Sequence, residues 1–120
     1  MPTHLQTIKR IKINKEYFFI TFLLVDRETE RNYVKKKLGN QAAILKSLNK
    51  YYCAYVYLPK LSHKMYSEGL GNECTYCKGK VAGVDTAHYY NDNMTLEQKF
   101  EDAMRQIKTV IKDYNKKLRK

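Results

Sequence analysis

A chain of 120 residues with 43% hydrophobic residues and a formal charge of +11 fits one domain with its own core. Its longest apolar run, Tyr17 to Val25, falls far below the ~20 residues a bilayer crossing needs, so no membrane-spanning role is expected. Three cysteines, an odd number, argue against a disulfide framework and for a reducing compartment.

The positive charge is uneven. Residues 1–60 carry twelve Lys and Arg against four Asp and Glu, and residues 95–120 carry eight against four. Residues 61–94 carry three against four, so the middle is nearly neutral. Basic ends of this kind favour phosphates, or an acidic protein surface that imitates them. Eleven tyrosines add side chains that cover apolar surface while keeping a polar tip. Met1-Pro2-Thr3-His4 opens without an apolar leader, so export is not expected and the cytosol is the expected location.

In chain order, Arg10 to Ile13 alternates as a strand does, and Asn14-Lys15 reads as a turn. Tyr17 to Val25 is apolar on both faces, the pattern of a central strand. Asp26 to Leu38 reads as a short helix with Asp26 as N-cap and Gly39 as C-cap, a hairpin being the alternative. Gln41 to Ser47 has helical propensity but runs into the turn-like Asn49-Lys50. Two strands joined by a turn near residues 48–50 are the preferred reading. Tyr51 to Leu58 is aromatic and β-like, and Pro59 ends it.

Residues 60–79 read as a long loop, the kind of segment that tends to carry function. Val81 to Asp85 is a short strand. The final element is the clearest, because Thr95 with Gln98 makes a capping box. Leu96, Phe100, Ala103, Met104, Ile107, Ile111, Tyr114 and Leu118 then form an apolar stripe at helical spacing. Beside that stripe, Arg105, Lys108, Lys112, Lys116 and Arg119 follow one ridge at three- and four-residue steps. Like charges so placed cost helix stability unless a partner compensates them. The expected architecture is a single α+β domain over residues 1–120, a mostly antiparallel sheet packed against a long C-terminal amphipathic helix.

The residues able to carry chemistry collect in the neutral middle. Cys74-Thr75-Tyr76-Cys77 is a C-x-x-C, a spacing at which two thiolates hold one tetrahedral zinc from a tight turn. His63 and His88 supply the two remaining ligands in this reading, with Cys53 and Asp85 as additional donors. A thioredoxin-like role is disfavoured, since Lys78-Gly79-Lys80 does not open a helix. Asp85-Thr86-Ala87-His88 places an Asp and a His three apart after a strand. Such a pair can share a metal or act as base and orienter for a water, but no nucleophile stands beside it in sequence.

From Gln41 onward the chain resembles an uncharacterised family of small phage and prophage proteins. The matching positions are Cys53-Ala54-Tyr55-Val56, Pro59, His63, Thr75-Tyr76 and Asp85-Thr86-Ala87-His88. Where that family often has His-Gly-Gly before its hairpin, this chain has Gly71-Asn72-Glu73 and two cysteines around Thr75-Tyr76. The resemblance implies a mobile-element origin. By analogy with small type II anti-CRISPR proteins, some of which contain zinc, it implies a non-catalytic inhibitor of a host nuclease or its nucleoprotein complex. Two other functions stay open: a small metal-dependent hydrolase of nucleotides or nucleic acid using Asp85 and His88, and a plain nucleic-acid-binding accessory protein.

Overall fold

The computed structural model describes residues 4–39 and 49–119. The preferred reading of Gln41 to Ser47 as a strand lies outside the described residues. β1 (His4–Ile13) and β2 (Glu16–Val25) form a long antiparallel hairpin. Asn14 and Lys15, at φ 52° and 69°, make its two-residue turn, and paired positive φ values match the right-handed twist of the strands. β1 begins well before Arg10, where the alternation starts, because every β2 residue offers it a ladder partner from His4 opposite Val25 onward.

α1 (Glu28–Leu38) follows β2. Asp26 caps it from one position further out than expected. Its Oδ1 accepts the Glu28 N–H at 3.0 Å and the Arg31 guanidinium at 3.2 Å, while Arg27 occupies the cap position itself. The Gly39 N–H reaches the Lys35 carbonyl at 3.1 Å, as a helix end requires.

β3 (Tyr51–Tyr57) returns beside β2. The segment read as a loop holds two further elements, α2 (His63–Ser67) and β4 (Tyr76–Lys78). Ser62 starts α2 by accepting the Met65 N–H at 3.2 Å. β4 forms because it hairpins onto β5 (Val81–Asp85) through Gly79-Lys80, a pairing too short to stand out in sequence. The five strands are antiparallel in the order β1-β2-β3-β5-β4.

α3 (Leu96–Leu118) lies across one face of this sheet. Both capping-box bonds are made: Gln98 N–H to Thr95 Oγ1 at 3.1 Å, and Thr95 N–H to Gln98 Oε1 at 2.9 Å. At 1.5 Å per residue the helix is about 35 Å long. Ala103, Ile107, Val110, Ile111 and Tyr114 meet Ile20, Phe22, Ala54, Val56, Ala82 and Val84 in one core. Phe100 packs on Phe22 with ring centres 4.4 Å apart, and Leu58, Leu61 and Leu70 close the side of the core. The ends of the stripe, Leu96 and Leu118, are exposed.

Gly71 must be glycine for a stated reason. At φ 59° its α-carbon abuts the α3 backbone, where a β-carbon would sit 3.1 Å from Val110 N. Its N–H donates to Asp113 Oδ2 at 2.9 Å, pinning the central loop to the helix. Among the described residues no helix is long and apolar enough to cross a membrane.

Candidate functional site

β5 ends in Asp85, and the chain turns there because Asp85 Oδ1 accepts the Ala87 N–H at 2.9 Å. Oδ2 of the same carboxylate accepts the Thr75 hydroxyl at 3.0 Å. Thr86, between them, extends the ladder to β3 by accepting the Tyr52 N–H at 2.8 Å and donating to its carbonyl at 3.1 Å. The Asp-Thr-Ala-His segment is therefore partly a structural clasp. His88 Nε2 lies 3.7 Å from Asp85 Oδ1, buried and without a hydrogen-bond partner among the described residues. Its ring stacks on Tyr90 at 5.4 Å. Cys53 faces Asp85 directly across β3 and β5. Burial pushes the Cys53 thiol above its ordinary value, and the nearby Asp85 charge acts in the same direction. Asp85, His88, Thr75 and Cys53 thus meet at one end of the sheet. The Asp85 carboxylate is held by Thr75 and the backbone, and among the described residues no activated nucleophile accompanies the pair.

Cys74 and Cys77 are half-buried against the core, Cys77 on β4 opposite Ala82. The Cys74 Sγ–H donates to the Tyr76 carbonyl at 3.3 Å, and burial raises its pKa. His63 is the exposed first residue of α2, its ring centre 6.1 Å from that of Tyr66. Among the described residues no set of three or more His, Cys, Asp and Glu side chains is placed to hold one ion. As they stand, Cys74, Cys77, His63 and His88 do not form a closed four-ligand site.

A polar network joins this end of the sheet to α3. Arg105 grips Glu73 through two parallel bonds of 2.8 and 3.0 Å, and its Nε donates to Asp102 Oδ1 at 2.9 Å. The Tyr90 hydroxyl lies 2.7 Å from Glu73 Oε2 and 3.1 Å from Asp102 Oδ2. Buried Gln106 donates to Asp102 Oδ2 at 2.8 Å and to the Asp85 carbonyl at 3.1 Å. The Arg105 hydrogen bonds hold Glu73 below the usual carboxylate range. Burial alone would raise Asp102, but bonds from Asn91, Gln106, Arg105 and Tyr90 outweigh it and hold it low. Burial and the two carboxylates drive the Tyr90 phenol upward. Glu73, Tyr90, Asp102 and Gln106 escaped the sequence reading. Their one signal was the interruption of the apolar stripe by Asp102 and Gln106, four apart on the same face.

Arg105 therefore stands apart from the rest of its ridge, since both its carboxylate partners are internal. Lys108, Lys112, Lys116 and Arg119 are exposed. Lys112 and Lys116 line a shallow pocket with Gly71, Asn72, Thr109 and Asp113. Asp113 is shared with Lys117 at 4.0 Å and with the Gly71 N–H, so it leaves the ridge uncompensated. Elsewhere Asp26 pairs with Arg31 and Lys50, and Glu68 with Lys64 and Lys117. No protein-family model, no curated protein and no solved structure matches this chain.

Proposed function

We propose that this protein is a non-catalytic, anti-CRISPR-like inhibitor that docks on a host nuclease or its nucleoprotein complex in the bacterial cytoplasm. One observation carries the reading: several carboxylates are engaged within the fold, while Lys108, Lys112 and Lys116 line an exposed helix face with no ion-pair partner among the described residues. A partner rich in phosphate, or an acidic protein patch, is what such a face complements. The engagement of Asp85 by Thr75 and backbone supports a structural role for the Asp85–His88 pair rather than a catalytic one.

The test crosses two variants. Lys108→Glu with Lys112→Glu should fold normally, since both side chains are exposed, and should lose binding and inhibition of the target nuclease. For a duplex target, each lost phosphate contact should reduce the slope of log affinity against log salt by about 0.9. Asp85→Asn should inhibit normally. If the charge-reversed helix inhibits as wild type while folded Asp85→Asn is inactive, the docking reading falls and a metal-dependent hydrolase replaces it.

A further inference from the structure

The sheet has a second face, opposite α3, and its side chains follow from the strand register. Odd-numbered β2 and β3 residues and even-numbered β1 residues point away from the core. β2 was read as apolar on both faces, as if both were covered. In the fold Phe19 is 63% exposed, Tyr17 55% and Tyr57 62%. Phe19 and Tyr57 are the next residues of adjacent strands beyond the Ile20–Val56 pair, both on the face away from the core. The row runs on from Arg10, opposite Phe19, to Val81, opposite Tyr57, and to Lys78 on the far edge strand. Next to it Tyr55 and Tyr76 pack edge to face at 5.3 Å. Gly83 lies under them because a β-carbon there would come within 2.6 Å of the Tyr55 ring.

Cations border this aromatic band. The Arg10 guanidinium sits 4.5 Å from the Tyr17 ring centre and the Lys12 ammonium 5.4 Å, so the Tyr17 ring already carries cation contacts. Phe19 and Tyr57 have no such cover among the described residues. Arg10, Lys12 and Lys78 have no carboxylate partner there either. Glu16 points to the opposite face, and Asp85, the acid on this one, is held by Thr75 and its own turn.

We propose that this face binds single-stranded RNA, with bases stacking on Phe19 and Tyr57 and phosphates meeting Arg10, Lys12 and Lys78. Unstacked bases are what a flat row of rings accepts, and a duplex keeps its bases stacked on one another. Basic groups at both edges complement a backbone crossing the strands. The exposed Tyr17 and Tyr57 phenols add hydrogen-bonding groups that ribose hydroxyls can meet and deoxyribose cannot. This surface is separate from the α3 ridge, which lies on the other side of the sheet.

Fluorescence anisotropy with a labelled oligouridylate, an oligodeoxythymidylate of equal length and an RNA duplex tests the proposal. Wild type should bind the single-stranded RNA most tightly. Phe19→Ala and Tyr57→Ala should each weaken it roughly 5- to 150-fold, with the thermal melt retained because both rings are exposed. Tyr57→Phe should keep most of the stacking. Phe19→Trp places one tryptophan in a chain that has none, and its fluorescence should be quenched by the RNA. Ring variants that bind as wild type, no quenching in Phe19→Trp, or equal affinity for the duplex would overturn the proposal. Equal affinity for the DNA strand would overturn the RNA assignment. Failure of all three probes to bind would overturn the proposal as well. The ring variants and the Phe19→Trp quenching read this face alone, and the comparison of single strand with duplex is made in the Lys108→Glu, Lys112→Glu background so that the α3 ridge does not contribute to it.

Discussion

Arg105 shows how one residue's role depends on what the fold brings to it. By spacing it belongs with Lys108 and Lys112, yet Glu73, far from it in sequence, claims its guanidinium in a two-bond clamp. The clamp ties the central loop to α3, and it makes stability depend on pH. The folded pKa values of Glu73 and Asp102 lie below their ordinary ones, so folding favours the deprotonated forms. Their contribution is complete above about pH 5 and is lost as pH falls through the depressed folded values, below the usual ~4. Thermal melts from pH 6 downward (about two to three units) should show this loss in wild type. Arg105→Met should melt lower at neutral pH and show a flatter decline. A variant with the wild-type pH profile would mean that the clamp does not hold in solution. Lys99 is the opposite kind of residue. It is a buried lysine whose ammonium donates to the Lys50 carbonyl at 2.6 Å, and burial lowers its pKa.

Among the elements, α3 organises the rest. Ile107 is fully buried at its centre, so Ile107→Ala should cost roughly 2–5 kcal/mol, read from denaturant unfolding. A change below 1 kcal/mol (the order of a surface substitution) would place the helix outside the core. The β4–β5 hairpin carries a second test. A zinc ion on Cys74 and Cys77, completed by His63 and His88, remains a proposal, and it requires those donors to close up from where they stand. In that case elemental analysis of protein made without a metal-affinity tag returns about one zinc per chain, and Cys74→Ala loses it. A folded, metal-free preparation removes the proposal and leaves both thiols as half-buried side chains packed against the core.

At the scale of the whole molecule, the sheet separates two surfaces, one under α3 and one open, and the proposed activities fall on different sides. Local signals were enough for the α+β class, the Asn14-Lys15 turn, the strands at β2, β3 and β5, and the capped helix from Thr95. Each rests on periodicity or on a few neighbouring residues: two turn positions, one capping box, one apolar stripe. β4 and α2 were missed because each is short: β4 depends on its pairing with β5, and α2 is a five-residue turn of helix that carries no apolar period. The same limit governed the sites. Spacing could pair Asp85 with His88, and Cys74 with Cys77, since each pair lies within four residues. It could not show that Asp85 is already held by Thr75, or that Glu73 would draw Arg105 out of its ridge. Nor could alternation alone tell that Phe19 and Tyr57 face solvent while Phe18 and Val56 face the core. An apolar strand looks the same whether one face is covered or both. Sequence by itself determined the long helix, the longer strands and where the chain is apolar or basic, because these are properties of neighbouring residues. Tertiary structure alone decided which charges are neutralised and which rings are open, because those depend on residues that meet only when distant segments pack.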